Sequence, residues 1–152
     1  MSKTVIVTGA SRGIGHAISL YYAKKGFNVC VCCHKNADML DSLKDEIENI
    51  GADCMTYVGN IGIFENAAEF FSLIKERFGK ADILINNAGI SYIGLLQDMT
   101  PSDWNNIITS NLTSVFNCCK LAIPIMLGSH EGKIINISSV WGCVGASTEV
   151  AY

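Results

Sequence analysis

The sequence predicts an α/β protein built on one doubly wound parallel sheet, with helices on both faces in three layers. Three observations carry that expectation. Short apolar runs of strand length alternate with longer stretches of helical periodicity along the whole chain. Runs such as Ile83-Leu84-Ile85 are apolar at successive positions, the pattern of a strand covered on both sides. Helix-length segments between strands then impose right-handed crossovers and parallel pairing.

Each element follows in order. Thr4-Val5-Ile6-Val7-Thr8 is the first strand, broken by Gly9. Ile14, Ala17, Ile18, Tyr21 and Tyr22 recur at helical spacing as far as Lys25, and Gly26 stops the helix. Val29 to Cys33 is the second strand. Met39, Leu40, Leu43, Ile47 and Ile50 stripe a second helix that ends at Gly51. Asp53 to Val58 reads as the third strand. Phe64, Ala67, Phe70, Phe71, Ile74 and Phe78 stripe the next helix, closed by Gly79. Ile83 to Ile85 and Lys133 to Ile137 are the fourth and fifth strands. The long helical stretch between them opens at Thr100-Pro101-Ser102-Asp103, with an N-cap candidate, a proline in the first turn and an acid three residues on.

Composition bounds the class. The 152 residues are 49% hydrophobic and 16% charged, enough for one domain (1–152) with a proper core. A formal net charge of −3 gives no footprint for nucleic acid or an anionic membrane. Met1-Ser2-Lys3 runs straight into a strand without a signal peptide, and no apolar run reaches the ~18 residues of a span, so a cytoplasmic protein is expected. The seven cysteines are an odd number. Cys30, Cys32 and Cys33 crowd one strand, and neither Cys32-Cys33 nor Cys118-Cys119 has zinc-ligand spacing, which predicts buried reduced thiols and no metal. His16 and His130 read as helix and loop surface.

The first chemical signal is Thr8-Gly9-Ala10-Ser11-Arg12-Gly13-Ile14-Gly15, between the first strand and the first helix. Gly9 permits a tight turn, Gly13 lets backbone approach a ligand, and Gly15 lets the helix pack close to the sheet. The free N–H groups and positive end of the helix would face a pyrophosphate. A Walker loop would need Gly-Lys-Ser/Thr here, and that is absent.

Thr-Gly-x-x-x-Gly-x-Gly resembles the cofactor signature of the short-chain dehydrogenase/reductase family. Four further stretches match that family in order: Asn86-Asn87-Ala88-Gly89 after the fourth strand, Asn111 within a helix, Ser139 at the end of the fifth strand, and Tyr152 thirteen positions beyond it. The likeness runs the length of the chain and implies a Rossmann-type NAD(P)-binding domain. The general sequence run is most similar to the 3-oxoacyl-carrier-protein reductases of the family.

The resemblance implies hydride transfer between a nicotinamide and a carbonyl or secondary alcohol. Tyr152 would be the acid/base, Ser139 would hydrogen-bond the substrate oxygen, and Asn111 would anchor a water in the proton relay. Mid-helix asparagine is unfavourable and distorts helices, consistent with a functional kink at Asn111. A free tyrosine titrates at about pH 10. The family corrects this with a lysine four residues later, a position the present sequence lacks, so the sequence reads as a fragment of a longer protein with strands and helices still to come. The dinucleotide would meet Gly9, Ser11, Arg12, Gly13, Ile14 and Gly15 in the turn, His34 and Lys35 after the second strand, Asn60 and Ile61 after the third, and Asn87, Ala88 and Gly89 after the fourth.

Cofactor choice turns on the end of the second strand. Relatives that prefer NAD carry an acid there, which binds ribose hydroxyls and repels a 2′-phosphate. Here the run is Cys33-His34-Lys35, without a carboxylate, and Lys35 and Arg12 can meet a phosphate. NADP(H) is expected over NAD(H). Where the family commonly has Asp-Val after the third strand this chain has Asn60-Ile61, which keeps an acceptor oxygen for the adenine amino group but loses the charge. The resemblance further implies a small-molecule or carrier-protein-bound carbonyl substrate and a homo-oligomer, dimer or tetramer. Steroid, sugar or polyol dehydrogenases share the fold, and a non-catalytic cofactor-binding module remains an alternative.

Overall fold

Five parallel strands and five helices alternate through the chain in the computed structural model, which describes residues 2–128 and 131–152. The strands are β1 (Thr4–Thr8), β2 (Asn28–Cys33), β3 (Cys54–Val58), β4 (Ile83–Asn86) and β5 (Lys133–Asn136). The helices are α1 (Gly13–Lys24), α2 (Ala37–Asn49), α3 (Phe64–Phe78), α4 (Pro101–Ile108) and α5 (Ser114–Gly128). A π turn, Thr109–Thr113, joins α4 to α5. His130, expected on a loop surface, lies outside the described residues.

The strand order is β3-β2-β1-β4-β5. Val5 of β1 pairs with Val29 on one side and Ile83 on the other. The chain therefore leaves β3 at one edge, crosses over, and resumes beside β1, so the winding reverses between β1 and β4. Loops leaving these two strands at their carboxyl ends diverge to opposite faces, and a crevice opens between them.

Two apolar layers fill the sheet faces. Val5, Val7, Val29 and Val31 meet Leu40, Leu43 and Ile47 of α2 and Ala23 of α1. Ile6, Cys30, Cys32 and Leu84 meet Phe70, Phe71 and Ile74 of α3 and Cys118 and Ala122 of α5. Successive strand residues thus serve opposite cores, which is why the strand runs are apolar throughout.

The structure departs from the expected pattern in four places. On α1 the buried residues are Gly15, Ser19 and Ala23, while Ile14 and Tyr21 of the apolar stripe are exposed. Small side chains let this helix approach the sheet closely, and the Ser19 hydroxyl is satisfied by donating to Gly15 O at 2.8 Å. On α2, Met39 and Ile50 likewise lie outside the buried face. The helical run Pro101–Gly128 passes the length and hydropathy test for a membrane span, although no uninterrupted apolar run does. Averaging over a window tolerates its Ser and Asn residues, and Ser114, Asn117, Cys118, Ala122 and Met126 face the core. Finally, the thiols are free but not all buried, since Cys119 is half-buried and Cys143 exposed. Burial pushes Cys54 and Cys118 up to about 12 and Cys30 and Cys32 higher still.

The start of α4 matches its expectation. Thr100 Oγ1 accepts from the Asp103 N–H at 3.1 Å, and Asp103 Oδ2 accepts from the Thr100 N–H at 3.0 Å, with Pro101 in the first turn. β5 lies at the sheet edge, only half covered.

Candidate functional site

The crevice at the carboxyl ends of β1 and β4 holds a cleft of about 780 Å³, a size suited to a cofactor-sized ligand. Its floor is a hydrogen-bonded seam between the two strand exits. Thr8 Oγ1 accepts from the backbone N–H groups of both Asn87 and Ala88 at 3.0 Å. The Asn87 carboxamide donates back to Thr8 O at 3.0 Å and to Gly9 O at 3.1 Å. Side chains thus continue the β1–β4 ladder past the last strand pair and hold the glycine turn against the Asn87–Gly89 loop.

Two glycines are required by this packing. Gly9 has φ 63°, and a Cβ there would lie 2.7 Å from Ala88 Cα. A Cβ on Gly15 would lie 2.5 Å from Asn87 Nδ2 and 2.6 Å from Gly9 O. Gly13 differs: its φ is 60°, and nothing lies within 4 Å of where a Cβ would stand. Bare backbone at the amino end of α1 therefore borders the cleft, and a phosphate group could reach its N–H groups. The donor set fits a dinucleotide.

Twelve of the thirteen residues expected to meet the cofactor line this one cleft. Gly9, Ser11, Arg12, Gly13 and Ile14 come from the turn, and His34 and Lys35 from the exit of β2. Asn60 and Ile61 come from the exit of β3, and Asn87, Ala88 and Gly89 from that of β4. Gly15 does not line it, because it is buried beneath Asn87. Arg12, His34 and Lys35 are exposed, so they can turn toward an anionic group. Cys33 also lines the cleft; burial raises its thiol, while the N–H groups of Asn36 and Lys35 hydrogen-bond the sulfur and hold the rise back.

Asn111 sits in the middle of the π turn, so the expected helix distortion is a local widening. The Ser114 N–H bonds to Thr109 O, and the Ser114 hydroxyl donates to Ser110 O at 2.6 Å. Such turns interrupt α-helices frequently at functional sites. The Asn111 side chain pairs reciprocally with the Ile90 backbone: Oδ1 accepts from the Ile90 N–H and Nδ2 donates to Ile90 O, both at 2.8 Å. That pairing pins the loop leaving β4.

Ser139 and Tyr152 stand apart from the cleft lining, on the segment after β5. Ser139 Oγ accepts from the Trp141 N–H at 3.2 Å and caps a short 3-10 turn, Val140–Gly142. Its own proton remains available to a ligand oxygen. Tyr152 is exposed, and its N–H donates to Glu149 O. Two contacts hold this segment beside the loop after β4: Ser91 Oγ donates to Glu149 Oε1 at 2.9 Å, and the Gly94 N–H donates to Thr148 O at 2.8 Å. Thr148 adopts φ 63° there, an unusual conformation for a β-branched residue.

Several cleft residues escaped the reading of the sequence. Gly59, Gly62, Asn106, Thr109, Ser110 and Ser114 line the cleft, from the β3 exit and the amino side of the long helix. Gly59 and Gly62 flank the Asn60-Ile61 pair and carried a legible turn signal; the other four read as ordinary helix positions.

Comparison with known proteins bears on this geometry. The short chain dehydrogenase family model matches residues 3–152. The chain is 41% identical over 155 aligned residues to the 3-oxoacyl-[acyl-carrier-protein] reductase FabG of Staphylococcus aureus, covering 100% of this chain and 62% of that protein. FabG of Thermotoga maritima is 35% identical, with 99% and 61% covered. A metagenomic short-chain oxidoreductase solved in complex with NADP superposes with a TM-score of 0.93 at 30% identity, covering 99% of this chain and 67% of that one. An actinorhodin polyketide ketoreductase variant solved with NADPH gives 0.94 at 29%, with 99% and 58% covered. The chain thus spans about 62% of the length of the curated relatives it matches.

Proposed function

The chain belongs to the short chain dehydrogenase family, and from that premise we propose that it supplies the cofactor site and reacting side chains of an NADP(H)-dependent oxidoreductase acting on a carbonyl or secondary alcohol. The observation that carries this reading is the cleft itself. It joins bare backbone at the start of α1 to a β2 exit that bears Lys35 and His34, with Arg12 on the facing turn and no carboxylate. Lys35, His34 and Arg12 offer a 2′-phosphate cationic and hydrogen-bonding partners there, and the nearby Asp41, whose charge reaches Cys33, does not line the cleft.

The chemistry that a nicotinamide cofactor held by these cleft residues would supply is donation or acceptance of the hydride. The residues of the chain do the rest. Ser139 donates a hydrogen bond to the substrate oxygen and keeps its proton, fixing the reacting carbon. Tyr152 gives its phenolic proton to that oxygen as the carbon is reduced, and takes it back in the reverse direction. Asn111, with its carboxamide committed to Ile90, acts on the proton path through the backbone of the π turn. The similarity to FabG points to a 3-oxoacyl group on a carrier protein as substrate. A homo-oligomer is supported by the exposed apolar stripe Leu112, Phe116, Ile123 and Leu127 on the long helix. A cytoplasmic setting agrees with the free thiols.

The test is reduction of a 3-oxoacyl thioester with either cofactor, with Cys33→Asp alongside. The unaltered protein should work more efficiently with NADPH. The substitution should move the NADPH-to-NADH efficiency ratio toward NADH by about tenfold or more. Higher efficiency of the unaltered protein with NADH would refute the assignment.

A further inference from the structure

We infer that Asn117, a buried residue of α5 that lines no part of the cleft, is a positioning residue that sets the adenine-side wall and so controls cofactor affinity without touching the cofactor. The inference rests on the NADP(H) reading above. That wall is the Asn60-Ile61-Gly62 loop at the exit of β3, whose residues all line the cleft.

Ile61 is buried in the core and the preceding Gly59 N–H bonds Cys33 O, but the loop's own polar bonds are few. Asn60 Oδ1 accepts from the Gly62 N–H at 3.0 Å, and Asn60 O accepts from the Ile63 N–H and from Asn66 Nδ2. These bonds shape the loop internally and anchor it only to the start of α3. The carbonyls of Ile61 and Gly62 point the other way. Both are met by one side chain: Asn117 Nδ2 donates to Ile61 O and to Gly62 O, each at 3.1 Å. Asn117 is only 3% exposed, so water cannot replace it. A primary amide carries two N–H donors on one atom, which is why asparagine can serve two adjacent carbonyls here.

A steric stop complements this tie. A Cβ on Gly62 would lie 2.5 Å from Thr109 O and from Thr109 Cγ2, so the loop already rests against the π turn. The amide draws the loop onto the long helix, and Thr109 limits how close it comes. Without the amide, two buried carbonyls lose their donor and the loop must move to find water. Asn60 and Ile61 then leave the positions from which they bound the cleft.

The experiment measures the dissociation constants of NADPH and of 2′,5′-ADP, which carries only the adenine half, together with the kinetics, in protein that sustains reduction. For Asn117→Leu, which keeps the volume and removes the donors, both constants should rise by about tenfold. The KM for NADPH should rise with them, while kcat at saturating cofactor stays near the unaltered value. Asn117→Ala also removes both donors and is read identically should the leucine variant fail to fold. Ile74→Val, a core change on α3 away from the loop, controls for general loss of stability: it should lower the melting temperature and leave both constants alone. Unchanged 2′,5′-ADP binding in the Asn117 variants would overturn the inference, as would an equal loss in Ile74→Val. Absence of NADPH binding in the unaltered protein would overturn the cofactor reading itself and is recognised by appearing without any substitution.

Discussion

The exits of β4 and β5 lie side by side at the same end of the sheet, yet they are built differently. After β4, the Asn87 and Ala88 N–H groups both bond Thr8 Oγ1, and the Asn87 carboxamide donates to the carbonyls of Thr8 and Gly9. After β5, Ser139 is held only through a short turn, Val140, Trp141 and Val144 are exposed, and the descent to Tyr152 rests on the Ser91–Glu149 and Gly94–Thr148 contacts. The floor on which a cofactor would lie is fixed by dense, part-buried bonding. The rim that would carry the proton chemistry is fixed by a few exposed bonds. Damage to the floor should therefore cost stability and binding together, whereas damage at the rim should cost turnover alone.

The largest expected effect is on the floor. Gly9→Ala combines a left-handed backbone with a Cβ driven toward Ala88, and should destabilise the protein by about 3 kcal/mol. Urea unfolding measures this, and NADPH binding should be lost in parallel. A variant that unfolds like the unaltered protein would show that the turn can shift away from Ala88, and the contrast between the two exits would weaken.

Tyr152→Phe tests the rim. It removes the phenolic proton and leaves the ring, so turnover should fall by at least about 100-fold. NADPH binding and melting temperature should be unaffected, because the Tyr152 hydroxyl is no part of the floor. Near-normal turnover would sink its role as acid/base, and a matching loss of cofactor binding would mean that floor and rim are one unit.

The smallest effect concerns α4, which brings Asn106 to the cleft mouth. Hydrogen bonds from the Thr100 hydroxyl and backbone N–H hold the Asp103 carboxyl below the usual aspartate range. Because the folded value is depressed, the stabilisation is present above the unfolded value and is lost as pH falls through the folded one. Amide exchange at the start of α4 should quicken on acidification into that range, while the Thr8–Asn87 seam at the strand exits, whose bonds involve no carboxylate, stays protected. In Asp103→Asn the helix start should exchange faster at neutral pH and lose this pH dependence. An unchanged pH response in that variant would remove the capping box as its cause.

Much of this was open to direct reading, and the misses have physical causes. The helix stripes of α2 and α3 depend on local periodicity, so Leu40, Leu43, Phe70 and Ile74 were legible as core. The stripe on α1 misled, because that helix buries Gly15, Ser19 and Ala23 and leaves Ile14 at the cleft. Close approach to the sheet, a demand made by β1 and Asn87, outweighed hydrophobicity there. Asn111 was legible as a distortion, since an asparagine inside a helix competes with the backbone. Its partner Ile90 was not, being 21 residues away. Asn117 gave no signal at all.

By itself the sequence determined the alternation of strands and helices, the two-sided burial of the strands, the glycine turn and the carboxylate-free exit of β2. All of these are set within a few residues by backbone freedom, periodicity or side-chain charge. Only the tertiary structure decided that β4 lies beside β1, that the winding therefore reverses over the glycine turn, and that the amide of Asn117 closes on carbonyls 55 and 56 residues away. Parallel pairing and buried hydrogen bonds join segments through space, and no local pattern encodes which distant carbonyl a buried donor will meet.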